Sequence, residues 1–185
     1  MGAARRFPRV VALACCAAAC LAGCSSGAAS GQSTALPDRT MSAPASTPAA
    51  GDPRALARQA YLGMWQAFTT ASRTADYQYP SLDRYAAGAA LELLTRGLYQ
   101  NSREGIVTRG QATYDPVVTM TKTPMGTAEA DITDCADDSH ALAYYKSGKP
   151  AAGEPPGRQR VYAQAQPFDG TWKVTTLVVD KVGSC

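Results

Sequence analysis

The stretch of sequence richest in groups that can do chemistry lies between residues 131 and 140. It contains four aspartates and the single histidine of the 185-residue chain: Asp131, Asp134, Asp137, Asp138 and His140. Acids and imidazole can bind a divalent metal, but the spacing lacks the alternating acids, central glycine and closing glutamate of an EF-hand loop. Zinc would need further His or Cys partners. We therefore expect a solvated turn here, with no metal site and no cofactor.

Nucleophilic catalysis is disfavoured as well. A catalytic triad would have to use His140, and Ser139 is its direct neighbour, so on a strand the two side chains would point to opposite faces. The chain also lacks the Gly-x-Ser-x-Gly nucleophile elbow. The sequence therefore offers no residue that we would predict to be catalytic.

An isomerase-like site is harder to exclude. It needs a carboxylate in an apolar pocket and a neutral donor such as tyrosine opposite. The chain has nine tyrosines, and the tyrosine-rich segment 74–85 also holds Asp76 and Asp83. No acid has a spacing that marks it as a base, so we favour a plain helix–helix loop and keep an enzyme as the alternative.

The elements that would position these residues begin with helices. Asp52-Pro53 is typical of a helix start, and apolar residues then recur at helical spacing to about Ser72. Ser81 is expected to cap a short second helix, and a third should end at Gly105.

Strand patterns follow the helices. Residues 113–121, 127–135, 141–146, 158–168 and 171–182 are predicted strands. Pro116 places the first of them at an edge or a bulge. Asp169-Gly170 is a hairpin turn signal. Helices followed by antiparallel strands predict an α+β fold, with the N-terminal helices packed on a curved sheet.

This order of elements resembles the NTF2-like, cystatin-like cone. The domain also resembles a set of uncharacterised lipoproteins and secreted proteins from actinobacteria. The resemblance rests on five short motifs and the terminal cysteine: Tyr61 with Met64-Trp65, Tyr85-Ala86-Ala87-Gly88, Thr108-Arg109-Gly110, Asp134-Cys135-Ala136-Asp137 and Asp169-Gly170-Thr171-Trp172-Lys173-Val174. It implies a fold but no activity, because the wider superfamily contains isomerases and dehydratases as well as domains that only bind.

The N-terminus has the layout of an export signal, with three arginines followed by an uncharged apolar run, residues 10–22. That run is shorter than the roughly 20 residues of a membrane-spanning helix. Leu21-Ala22-Gly23-Cys24 resembles the bacterial lipobox. We therefore predict a lipoprotein signal peptide (1–23), a lipidated Cys24 that begins a Ser/Ala/Pro tether (24–52), and one domain (53–185) on the extracytoplasmic face of the cell membrane.

Removal of the leader changes both the cysteine count and the charge. Three of the six cysteines leave with it and Cys24 takes lipid, so Cys135 and Cys185 remain to form a disulfide. The whole chain has 18 Lys and Arg against 15 Asp and Glu, and the leader holds three arginines and no acid, so the mature chain is neutral. A neutral chain argues against nucleic acid as a partner.

These features predict a binding or accessory module for a small, neutral or apolar ligand or a cell-envelope protein, and not an enzyme. The cone should have either a filled core or a pocket at its open end. A pocket would be lined by aromatic residues of the helices and of the loop between them: Tyr61, Trp65, Tyr77, Tyr79 and Tyr85. The alternative is a small-molecule isomerase or dehydratase.

Overall fold

The structure is a computed structural model that describes residues 51–153 and 155–185. The predicted leader, Cys24 and all but the last two residues of the predicted tether lie outside the described residues. Within the described part of the chain, no helix is both long enough and apolar enough to cross a membrane.

The first helix, α1, spans Pro53–Ser72 as predicted. The Asp52 carboxylate accepts a hydrogen bond of 3.1 Å from the Arg54 backbone N–H, and proline at the first helical position loses no helical bond. One face of α1 is buried, including Ala57, Tyr61, Met64 and Trp65. The long aromatic and apolar residues of this face form the helical side of the core.

Two further helices follow. Helix α2 spans Leu82–Tyr85, and Ser81 precedes it without making the predicted side-chain capping bond. Helix α3 spans Gly88–Glu104 and ends at Gly105, whose φ of 69° lies in the left-handed region that glycine tolerates. The predicted end of the third helix is thus confirmed.

Six strands complete the fold: β1 Ile106–Gly110, β2 Val117–Lys122, β3 Ala128–Asp137, β4 Ala141–Tyr145, β5 Arg158–Phe168 and β6 Thr171–Val182. Four of them form an antiparallel sheet in the order β2-β3-β5-β6, while β1 and β4 form a separate antiparallel pair. Helices α1 and α3 pack on the four-stranded sheet, and the core lies between them. The predicted α+β class is confirmed, and the arrangement is consistent with an NTF2-like cone.

Strands β1 and β2 differ most from the prediction. The strand expected over 113–121 begins only at Val117, because Pro116 has no N–H to donate to a ladder, and Thr113 makes an isolated bridge with Asp137. Strand β1 was not predicted, because its short sequence shows no clean alternation. The β1–β4 pair closes so tightly at Gly110 that a side chain there would collide with the His140 carbonyl.

The turn between β5 and β6 follows the prediction. Asp169 and Gly170 have φ values of 50° and 80°, and Phe168 pairs with Thr171 across them. Two positive φ values are characteristic of a two-residue turn whose twist matches the flanking strands.

Candidate binding cavity

The most unusual polar group in the core is the carboxylate of Asp134. Along β3 the inward-facing residues are Ala130, Ile132, Asp134 and Ala136, and Asp134 is only 3% exposed. The prediction of a solvated turn is wrong at this residue. Strand β3 continues to Asp137, so the alternation of side chains turns Asp134 into the core.

Both carboxylate oxygens of Asp134 have protein donors. The Tyr61 hydroxyl donates to Oδ2 at 3.0 Å, and the Asp115 backbone N–H donates to Oδ1 at 3.0 Å. The salt bridges recorded within the described residues, Arg58–Asp115 and Arg96–Glu92, are at the surface and do not involve Asp134. Hydrogen bonds, and not a paired cation, therefore compensate the burial of this group.

Aromatic side chains surround the Asp134–Tyr61 bond. Trp65 stacks on Tyr114 with ring centroids 5.1 Å apart and an angle of 10° between the planes. Tyr61 makes edge contacts with both rings, at 6.2 Å and 6.3 Å, and Phe68 makes one with Trp65 at 5.8 Å. Such offset and edge-to-face pairs add to the stabilisation that burial provides. The four rings form one rigid aromatic cluster: Tyr61, Trp65, Phe68 and Tyr114.

Both tyrosines of the aromatic cluster are held in the neutral form. Burial and then the negative charge of Asp134 raise the pKa of Tyr61 far above its usual value, and the nearby Trp65 indole offsets this only in part. Burial, Asp134 and Asp138 likewise raise the pKa of Tyr114. The Trp65 Nε1 atom is buried and has no hydrogen-bond partner in the described part of the chain.

A cavity of about 160 Å³ opens beside the aromatic cluster. Its lining comes from α1, from β1 and the loop after it, and from β3 to β5: Trp65, Phe68, Thr69, Ser72, Thr108, Ala112, Tyr114, Ala136, Asp138, Ala141, Gln159 and Val161. The lining combines aromatic and aliphatic groups with hydroxyls, an amide and a carboxylate. This composition is typical of a small-molecule pocket, where a few polar groups set the orientation of the ligand.

Asp138 lies at the boundary of this cavity. Its carboxylate accepts hydrogen bonds from the Gly157 backbone N–H and from Gln159 Nε2, the latter at 3.3 Å. Asp138, Ala141 and Gln159 also line an outer cleft of about 520 Å³ beneath the Pro- and Ala-rich segment that follows β4. The Asp138–Gln159 pair therefore separates the inner cavity from the outer cleft.

The five residues predicted to line one pocket lie in four different places. Tyr61 and Trp65 belong to the aromatic cluster, and Trp65 lines the cavity. Tyr77 instead packs edge-on against Tyr99 at 5.2 Å, in an open groove on α3. Tyr79 packs against the core, and Tyr85 lies against Gly63 of α1. The structure therefore does not gather these tyrosines at a common mouth.

The remaining acids of interest lie at the surface. Asp76 accepts a hydrogen bond from the Gln78 N–H within an exposed loop, and Asp83 is exposed in the first turn of α2. Hydrogen bonds from the Ser139 side chain and then from its backbone N–H, the latter at 2.9 Å, lower the pKa of Asp137. Across residues 51–153 and 155–185 no three Cys, His, Asp or Glu side chains converge as metal ligands would.

Sequence reasoning missed Tyr114, Thr108, Ala112 and Gln159 as cavity residues. Their positions depend on how the loop 111–116 and the β1–β4 pair fold back on α1, which no local pattern encodes. Asp134 was detectable, since Ala128, Ala130 and Ile132 already showed the alternation that carries it inward.

The two cysteines outside the predicted leader and anchor are joined in the structure. Cys135 and Cys185 form a disulfide with an S–S distance of 2.04 Å and Cα atoms 6.1 Å apart. The bond ties the segment after β6 to β3, one residue from Asp134. The inner sheet around the buried carboxylate is therefore covalently braced.

The raised pKa values predict an unusual alkaline titration. Absorbance of tyrosinate should show two of the nine tyrosines remaining protonated after the exposed ones have ionised. Above about pH 10 unfolded tyrosines lose protons that the folded protein keeps, so the free energy of unfolding should fall with pH, by up to about 2.7 kcal/mol per pH unit for two protons. Tyr114→Phe should halve this slope, because only the proton of Tyr61 is then retained by the folded protein. Nine tyrosines titrating together in intact protein would contradict the result.

Comparisons with known proteins place the chain in no family. No family model matches it, and no curated protein matches it. Among solved structures, the intermembrane space region of the chloroplast protein ARC6 matches with a TM-score of 0.41 and 17% identity, over 66% of this chain and 95% of that one. A protein described as an aromatic ring hydroxylase from Novosphingobium aromaticivorans matches with a TM-score of 0.39 and 11% identity, over 67% and 87%. Similarity at this level assigns neither a family nor an activity.

Proposed function

We propose that the protein is a lipid-anchored, extracytoplasmic binding module that holds a small, largely apolar molecule in the cavity beside Trp65 and Tyr114, without turnover. The observation that supports it best is the cavity itself, whose lining contains both aromatic and polar groups. The nearby carboxylate of Asp134 already has hydrogen-bond partners within the protein, because each of its oxygens accepts a hydrogen bond. The polar groups of the cavity lining are suited to orienting a ligand.

The anchor rests on the sequence. Cys24 stands where an apolar leader meets the tether of residues 24–52, so the domain would be held at the outer face of the membrane. The intact mass of protein from the membrane fraction tests this part, because a lipidated chain should begin at Cys24 and carry added acyl mass that Cys24→Ser removes.

The size of the cavity limits the ligand. An engineered protein cavity of about 150 Å³ binds benzene, whereas pockets for drug-sized ligands run from about 300 Å³ upward. A volume of about 160 Å³ therefore suits one ring or a short branched chain. The alternative partner is a cell-envelope protein. The following test asks whether a small molecule binds in the cavity.

Phenol should bind the full-length protein, and ligand-observed NMR should detect it. Ala112 is a partly exposed lining residue, so Ala112→Phe should block the cavity and abolish the signal. Ala89, exposed on α3, offers the matched control, and Ala89→Phe should bind as the wild type does. Equal binding by Ala112→Phe, or no binding by the wild type, would reject the small-molecule proposal.

One observation favours an isomerase-like activity instead. Asp134 is a buried carboxylate close to two neutral tyrosines, Tyr61 and Tyr114, which are the groups that such chemistry uses. Asp134 does not line the cavity, however, so it would have to exchange its protein donors for substrate. An enzyme would lose turnover in Asp134→Asn, whereas a binding module would keep its affinity for phenol.

A further inference from the structure

We propose that the ligand of the cavity is a small organic cation, an ammonium group with apolar substituents. This inference rests on the proposed function and deepens it. The mature chain has equal numbers of acids and bases, from which we expected a neutral or apolar ligand. Net charge describes the whole molecule, however, and the cavity has a local charge of its own.

The one charged group in the cavity lining is a carboxylate. The lining contains Asp138 and no lysine, arginine or histidine. A second carboxylate, Asp134, lies on the inward face of β3 two residues before the lining residue Ala136. The neighbours that hydrogen-bond these two carboxylates are neutral: a tyrosine hydroxyl, two backbone N–H groups and a glutamine amide. Neither carboxylate forms a salt bridge within the described residues.

The electrostatic environment of the lining residue Tyr114 has the same sign. Burial is the largest cause of its raised pKa, and the negative charges of Asp134 and Asp138 raise it further, since each favours a retained proton. A positive charge brought to this place would be stabilised by the same two groups.

The aromatic residues of the lining supply the complement. Trp65, Phe68 and Tyr114 line the cavity, and the faces of aromatic rings attract ammonium groups. Clusters of aromatic rings are the usual way in which proteins recognise quaternary ammonium ligands. With about 160 Å³ available, the cavity suits an ammonium with three or four small substituents.

The test compares two probes of the same shape. Choline and 3,3-dimethyl-1-butanol differ in a charged nitrogen against a neutral carbon. The full-length protein should bind choline about tenfold more tightly by calorimetry, the difference that about 1.4 kcal/mol of charge stabilisation produces. Added salt should weaken the binding of choline and leave the alcohol unchanged. This comparison uses the wild-type protein and does not depend on a variant that folds.

Variants then locate the charge. Asp138→Asn should reduce the affinity for choline about fivefold and leave the affinity for 3,3-dimethyl-1-butanol unchanged. Asp131→Asn is the matched control, since Asp131 likewise accepts a hydrogen bond from a cross-strand glutamine, Gln164, but is exposed away from the cavity. It should have no effect on either probe.

The results distinguish failure of the cation proposal from failure of the proposed binding function. If the alcohol binds as tightly as choline, or if Asp131→Asn weakens choline as much as Asp138→Asn does, the ligand is not a cation although the cavity binds small molecules. If phenol binds and neither isostere does, the cation proposal fails and the binding function stands. If the wild type does not bind phenol, the small-molecule proposal fails, and the cation proposal, which rests on it, fails with it.

Discussion

Replacing Cys135 and Cys185 together with serine should lower the free energy of unfolding by about 4 kcal/mol. The two residues are 50 positions apart, and the cross-link closes a loop whose entropy in the unfolded chain accounts for a loss of that size. For a domain of this length the melting temperature should fall by roughly 12–20 °C. The effect should appear equally in the wild type treated with reductant, because both changes release the same constraint.

The control for this change is Ser184→Ala. The Ser184 hydroxyl accepts a hydrogen bond of 2.8 Å from the Arg160 N–H, so it also fixes the C-terminal segment against β5. Its loss should cost about 1 kcal/mol, since the disulfide stays in place. If Ser184→Ala were as damaging as the double serine variant, attachment of the segment and not loop closure would account for the stability. Free thiols at both cysteines in protein that has been exported and never reduced would refute the pairing.

Asp134→Ala should lower the free energy of unfolding by about 3 kcal/mol. The change removes two hydrogen bonds to a charged acceptor and leaves the hydroxyl of the fully buried Tyr61 without a partner. Part of the loss is offset because a carboxylate no longer has to be buried. Chemical denaturation measured by tryptophan fluorescence gives the value directly, with Trp65 as a local reporter of the aromatic cluster.

Asp134→Asn separates hydrogen bonding from charge. The amide keeps one oxygen for the Asp115 N–H, and its NH₂ can donate to the Tyr61 hydroxyl, which accepts as well as donates. We expect it to cost far less than Asp134→Ala. Should the two variants be equally unstable, the negative charge itself would be required, and if both were as stable as the wild type the buried bonds would contribute nothing.

The prediction from sequence succeeded where one element has its own periodicity. Helix α1 and strands β5 and β6 end where their capping residues, turn residues and alternation say they should. The prediction failed at Asp134. Acidic side chains are usually solvated, but here the alternation of β3 turns the carboxylate into the core. An acidic residue at an inward-facing position of an alternating strand indicates a hydrogen-bond acceptor for a buried donor, as Asp134 is for Tyr61.

The cavity was not predictable in the same way. Tyr85 was expected at a mouth, yet it lies against α1 where Gly63 leaves room, since a Cβ on Gly63 would come within 2.6 Å of its ring. That contact joins residues of two helices. Likewise Tyr114 reaches Trp65 only because the loop 111–116 crosses the end of the sheet. Such placements follow from tertiary packing.

The pairing of β1 with β4 outside the main sheet has a consequence for how the interior is reached. Five residue pairs join these two strands, whereas β3 and β5 each have a hydrogen-bonded neighbour on both sides. Two-stranded ribbons are marginal by themselves, so their amide protons should exchange with solvent through a local opening of lower free energy than global unfolding. Thr108 of β1 and Ala141 of β4 belong to the cavity wall. A weakly supported pair of strands thus forms part of the cavity wall, and an occupant of the cavity should slow hydrogen exchange in β1 and β4.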